Sequence, residues 1–224
     1  MRIYGSLYED IWSALKLDAR TPVVISVVGA GGKSSLIKHF SNVLNQKQIY
    51  HMIATTTHMW PMQTGMYGQQ IGKTGSDGKV MPPNEKEWQQ IFSKGVPVLI
   101  EADGSKGFPC KAPEAWEPVF RKETSHVFAV LGVRCLGERV KDVCHRPKRV
   151  QHILSCSPEH RLNEEDLAAL MICKEGLRKD VADQWSYYCV FNQVDDAVCY
   201  ERIRWIENRI REYDIKDVFF THLK

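Results

Sequence analysis

Two periodicities alternate along the chain. Residues 23–29, VVISVVG, are an apolar, β-branched run that reads as a strand. Similar short apolar runs at 49–54, 96–102, 126–133, 187–191 and 218–221 predict five more strands. Between them the apolar positions fall at helical spacing. Leu7, Ile11 and Leu15 predict a helix over 6–18, with Ser6 and Glu9 at capping-box spacing. Leu36, Ile37, Phe40, Val43 and Leu44 give one inner face to a helix over 33–45. Asn84 and Glu87 open a helix that buries Trp88, Ile91 and Phe92 and stops at Gly95. Pro147 sits in the first turn of a helix over 147–154, Asn163 and Asp166 open another, and Val198, Ile203, Ile206 and Ile210 mark a long one. The order predicts a single three-layer α/β domain over 1–224, with a mostly parallel sheet of about six strands. The helix over 6–18 is packing cover. Residues 61–83, rich in Gly, Met and Gln, read as a flexible insertion with a small hairpin around Ser76-Asp77-Gly78. Residues 112–121 and 134–144 read as irregular.

Composition narrows the class without naming it. A chain of 224 residues with a net charge of +3 is only mildly basic, which makes nucleic acid an unlikely partner. No apolar run approaches the ~20 residues of a membrane span, and acids occupy the N-terminal stretch where a signal peptide would be apolar. The seven cysteines include no C-x-x-C pair, which fits reduced thiols and a cytoplasmic protein. Cys144-His145 has the look of a metal pair, but without a second such pair a buried thiol is the better reading.

The strand at 23–29 runs into Gly29-Ala30-Gly31-Gly32-Lys33-Ser34-Ser35. Glycines at this turn let N–H groups approach an anion, and the helix that follows adds a partial positive charge. Gly29, Gly31, Gly32, Lys33, Ser34 and Ser35 are therefore candidate phosphate ligands, with Lys33 on the outer phosphates and Ser34 on Mg²⁺. In the standard G-x-x-x-x-G-K-[ST] spacing the first glycine would fall at Val27, so this turn is shorter.

Other strand ends carry polar groups, and ligands in open α/β sheets bind beyond those ends. Thr55, Thr56, Thr57 and His58 follow the second strand; the threonines suit phosphate or Mg²⁺-bound water, and His58 suits a metal or a proton. Glu101 and Asp103 end the third, where a Walker-B carboxylate sits; Asp103 would hold Mg²⁺ and Glu101 would share the metal or orient a water. Lys106 and Lys111 can neutralise phosphate or an acidic substrate. His145 and Arg146 open the helix at 147, among Lys148, Arg149 and His152, either as a phosphate contact or as a solvated basic face. Asn192-Gln193-Val194-Asp195 resembles the [NT]-K-x-D base-reading motif of GTPases with Gln193 in place of Lys, so Asn192 and Asp195 are candidate base ligands, Asn192 either touching the base or bracing the loop, with guanine slightly favoured over adenine.

VVGAGGKSS, ATTTHMW, IEADGSKG with CKAPEAWEPV, HRPKRV and FNQVD occur in the order and spacing of the YqeC family, over roughly residues 20–221. The chain resembles that family, which is named for selenium-cofactor biosynthesis and for accessory proteins of selenium-dependent molybdenum hydroxylases. The matching residues are Gly29 to Ser34, Thr55 to His58, Glu101 to Lys106, Lys111, His145 and Arg146; Cys110 and Gln193 depart from the usual pattern. The resemblance implies a part in maturing a selenium-containing molybdenum site, with a molybdenum hydroxylase client or other maturation proteins as partners. Together with the residues it leads to one expectation: a P-loop NTPase-like protein using Mg²⁺ with ATP or GTP, in which Lys33, Glu101, Asp103 and His58 carry the chemistry. A small-molecule kinase or ligase acting on a cofactor precursor, and a non-catalytic nucleotide- or metal-sensing module, remain open beside it.

Overall fold

The computed structural model describes residues 3–4, 11–17, 22–194, 197–213, 215 and 217–223. The elements run β1 (Ile3–Tyr4), α1 (Ile11–Ala14), β2 (Val24–Gly29), α2 (Lys33–Gln46), β3 (His51–Thr55), β4 (Gly68–Gln70), α3 (Glu85–Ser93), β5 (Val98–Glu101), β6 (Cys110–Lys111), β7 (His126–Gly132), α4 (Val140–Val143), β8 (Cys144–His145), α5 (Pro147–Leu154), α6 (Glu164–Ile172), β9 (Ser186–Asn192), α7 (Ala197–Arg211) and β10 (Val218–Thr221). Eight strands form one sheet in the order β1-β10-β9-β7-β2-β5-β3-β4, with every pairing parallel. β2 is central and fully buried, as a strand covered on both faces must be.

Side chains that alternate along the strands feed two separate cores. On one face Ile25, Val27, Ile53, Leu99 and Phe128 meet α1 and α2 through Trp12, Leu36, Ile37 and Phe40. On the other, Val24, Val28, Ile100, Ala129 and Phe191 meet α3, α5, α6 and α7 through Trp88, Ile91, Val150, Leu167 and Ile206. The three layers are those the pattern predicts.

The sheet has eight strands where the pattern predicts about six. The additions are β1, only two residues long, and β4, Gly-Gln-Gln, inside the stretch read as an insertion. Neither has an apolar signature. β4 exists because His51, Met52 and Ile53 of β3 offer it a parallel ladder. The turn predicted at 76–78 is present: the Gly75 N–H donates to the Lys79 carbonyl and Thr74 bridges Val80 antiparallel. The predicted N-terminal helix is seen as Ile11–Ala14, and its proposed cap at Ser6 and Glu9 lies outside the described residues. Within 134–144, read as a loop, a 3₁₀ turn and α4 lead into β8, which pairs in parallel with β6 as a separate ribbon. No helix among the described residues is long and apolar enough to cross a membrane.

Candidate functional site

The turn from β2 to α2 is tight because its glycines have no alternative. Gly29 (φ 99°) and Gly31 (φ 78°) lie in the left-handed region. A Cβ on Gly29 would stand 2.1 Å from the Val130 carbonyl oxygen. The turn is locked to its surroundings: Ala30 N–H donates to the Val130 carbonyl and Gly31 N–H to the Phe108 carbonyl, while Gly29 N–H meets both oxygens of Asp103 at 3.1 and 3.0 Å. The first N–H groups of α2, at Lys33, Ser34 and Ser35, have no acceptor within the helix, as at any helix start. Among the described residues no side chain caps α2. α3 and α6, by contrast, carry complete capping boxes from Asn84 and Asn163.

Behind the turn lies a chain of buried charges. Lys33 Nζ donates to the Gly29 carbonyl at 2.7 Å and stands 3.3 Å from Asp103 Oδ1. Lys111 Nζ stands 2.9 Å from Asp103 Oδ2 and 3.0 Å from Glu117 Oε2, and also donates to the Gly104 carbonyl. Asp103 and Lys111 are fully buried. Asp103, expected to face a metal, thus has both oxygens taken by a backbone N–H and two ammonium groups. The carboxylate that meets the first turn of α2 on the cleft side is Glu101, whose Oε2 accepts from Ser34 Oγ at 2.9 Å. Burial pushes the Glu101 carboxyl above its usual range, and Lys33 and the Ser34 hydrogen bond only partly offset this.

The threonines divide. Thr55 is buried and donates to the Glu101 carbonyl while accepting from the Thr57 N–H, so it ties β3 to β5. The Thr56 N–H also bonds the Glu101 carbonyl. Thr57 and His58 reach the open side.

The second wall comes from the β6–β8 ribbon, whose register sets Lys111 beside His145 and Cys110 beside Cys144. Cys110, Cys135 and Cys144 are buried, and hydrogen bonds with the Cys135 and Cys144 thiols, followed by burial, hold the Cys110 thiol well above its usual range. Cys144 and His145 are both buried, and among the described residues no group of three His, Cys, Asp or Glu side chains is placed to hold a metal. His145 stacks on Phe108 and titrates at about 4, lowered by burial and then by the cations Lys111 and Arg146. Arg146 adopts a left-handed conformation (φ 64°, ψ 53°), lies over the Trp116 ring at 5.6 Å and stands 3.6 Å from Glu117. Burial raises the Glu117 carboxyl, but Lys111 and Arg146 outweigh it and the net effect is a lowering.

The two walls enclose a cleft of about 580 Å³. Of the sequence-predicted residues it brings together Gly31, Gly32, Lys33, Ser34, Ser35, Thr57, His58, Glu101, Lys106, His145 and Arg146. Gly29, Thr55, Thr56, Asp103 and Lys111 stand behind it as support. On the far side of the loop a cavity of about 260 Å³ is bounded by Arg134, Asn192, Gln193 and His222. Asn192 is buried and spent on bracing: its amide donates to the Gly31 carbonyl, and its oxygen accepts from Thr221 and the Leu223 N–H. Asp195 lies outside the described residues.

A family profile described as YqeC protein matches residues 25–148. The YqeC protein of Escherichia coli (strain K12) is 32% identical, over 95% of this chain and 93% of that protein. The chain belongs to the YqeC family. The matched segment of the family profile contains both walls of the cleft and ends at Lys148, before Asn192.

Sequence reasoning missed Glu117, which joins the two walls through Lys111 and Arg146. It stands in a segment without periodicity, and the only signal for it was its place in the CKAPEAWEPV motif. Lys79, also on the cleft, was hidden in the stretch read as an insertion, and Trp60 stood at the end of the ATTTHMW motif without being singled out.

Proposed function

We propose that this YqeC-family chain is a P-loop NTPase-like protein that binds ATP or GTP with Mg²⁺ and hydrolyses it or transfers its terminal phosphoryl group. The observation that carries the reading is the uncapped start of α2, with Lys33 on the cleft and the Ser34 hydroxyl on Glu101. A hydroxyl and a carboxylate are the hard oxygen donors Mg²⁺ takes alongside substrate phosphates. A cation there would also relieve the desolvated Glu101 carboxylate. The donor set thus fits Mg²⁺ at Ser34 and Glu101 and leaves Asp103 to hold Lys33 and the loop. Bound Mg²⁺ would neutralise developing charge on the phosphates. Lys33 and the α2 N–H groups would hold the phosphates, and His58 would orient the attacking group. The buried Oε1 of Gln193, without a partner among the described residues, is available to a nucleoside in the smaller cavity.

The family resemblance supports a biological setting in the maturation of selenium-dependent molybdenum hydroxylases, with such a client or other maturation factors as partners. Lys33→Ala is expected to abolish nucleotide binding; unchanged affinity in isothermal titration would refute the assignment. Glu101→Gln is expected to retain the fold and lower affinity for the Mg²⁺ complex at least ~10-fold, about the loss of one charge-assisted contact. Equal affinities with and without Mg²⁺ in the wild-type chain would remove the metal from the reading.

A further inference from the structure

We propose that the cleft holds a second anion subsite, formed by Lys106, Arg146 and His145 opposite the phosphate loop, for a small acceptor bearing a phosphate or carboxylate group. The inference rests on the nucleotide reading and makes the protein a phosphotransferase.

The cations of the two walls are held differently. Lys33 is buried against Asp103. Lys106 is exposed and has no ion-pair partner among the described residues. The Arg146 guanidinium is braced by Trp116 and Glu117, yet its Nε–H is buried without an acceptor among the described residues. A guanidinium oriented by a ring and one carboxylate, with a donor unused, is prepared for an oxyanion. Lys106 (φ 49°) and Arg146 (φ 64°) are both non-glycine residues in the left-handed region, and such strain persists where the surroundings impose it. α5, which starts at this wall, has no side-chain cap, so both helix starts on the cleft are uncapped. Among the described residues that line the cleft, the cations Lys33, Lys79, Lys106 and Arg146 face the carboxylates of Glu101 and Glu117. The nucleoside has its own space beyond the loop, beside Gln193.

The carboxylates also limit the acceptor chemistry. Glu101 is engaged by Ser34, Asp103 by Gly29, Lys33 and Lys111, and Glu117 by Lys111 and Arg146. With Glu101 also on Mg²⁺ and His58 orienting the attacking group, none of these carboxylates is assigned to deprotonate a hydroxyl. An acceptor whose attacking oxygen is already anionic needs no base. That oxygen bonds to the γ-phosphorus while the bond from phosphorus to the bridging oxygen breaks. The electron pair leaves on the nucleoside diphosphate, and the other product is a phosphoanhydride from a phosphate acceptor or an acyl phosphate from a carboxylate.

The test is a calorimetric titration of inorganic phosphate into the chain saturated with Mg²⁺ and a non-hydrolysable ATP or GTP analogue. One phosphate should bind per chain. The Lys106→Ala/Arg146→Ala variant, with its thermal midpoint checked, should bind phosphate at least ~10-fold more weakly and the analogue within threefold of wild type. Phosphate affinity unchanged in the variant, or no saturable phosphate site, would overturn the inference. Loss of the analogue in parallel with phosphate would also overturn it, giving these cations to the nucleotide and leaving the nucleotide reading intact. If no analogue binds the wild-type chain, the nucleotide reading fails by itself. Phosphate titrated into the unliganded chain then decides the subsite: an Arg146-dependent site sustains it and its absence overturns it.

Discussion

The two walls of the cleft hold positive charge by opposite means. Behind the loop wall, Lys33 and Lys111, whose side chain reaches across from the ribbon, are buried and neutralised by Asp103 and Glu117, and the turn before Lys33 is locked by Gly29, Gly31 and Gly32, where a side chain would collide. On the ribbon wall, Lys106 is solvated, Arg146 is partly exposed, and a Cβ on Gly107 would meet nothing within 4 Å. Removing one member of a buried pair strands its partner in a low dielectric, whereas a solvated cation is already screened. The loop wall is therefore where fold and site are one object. The exposed cations of the ribbon wall, Lys106 and Arg146, can change without disturbing the fold, which is what selection among substrates requires.

The contrast breaks most sharply at Lys111. Lys111→Met leaves Asp103 and Glu117 facing each other without their shared cation, and a loss of about 3–5 kcal/mol is expected. Chemical denaturation checks this: a midpoint equal to wild type would mean the buried pairs contribute nothing. Next come two glycines that share a left-handed φ. Gly29→Ala adds a backbone collision to the conformational cost and should lose on the order of 3 kcal/mol; Gly107→Ala meets only the conformational cost, about 1 kcal/mol. Equal losses would erase the difference between the walls. The last effect is on pH dependence. The unfolded chain protonates His145 near 6.5, whereas the folded chain resists until about 4 because of burial, Lys111, Arg146 and Lys106, with Glu117 opposing. Between these values the unfolded state binds more protons, so the His145 contribution to stability falls as pH drops from 6.5 towards 4. Thermal midpoints over that window should fall less in His145→Gln; identical slopes would put the acid sensitivity elsewhere.

Much of this was legible in the chain. The six strong strands, the capping boxes at Asn84 and Asn163, and Pro147 at the start of α5 follow local rules, and each is present. So is the glycine turn into Lys33. β4 was not legible, because Gly-Gln-Gln has no pattern of its own and is a strand only through its neighbour. The ribbon was missed for the same reason, since two-residue strands leave no periodicity. Glutamate and aspartate at the end of β5 were both visible as chemistry, but their distinct surroundings were not.

The sequence by itself determined the layered α/β order, the family, and the residue types gathered at the strand ends. Those depend on apolar period, turn chemistry and motif order, all properties of neighbours in the chain. Only the tertiary structure decided that Asp103 is enclosed by Gly29, Lys33 and Lys111 while Glu101 meets Ser34, that Asn192 braces Gly31, and that Glu117 links the two walls. These pairings join residues as much as 161 positions apart. Burial and charge at such distances are set by which surfaces the folded sheet brings together, and no local pattern carries that information.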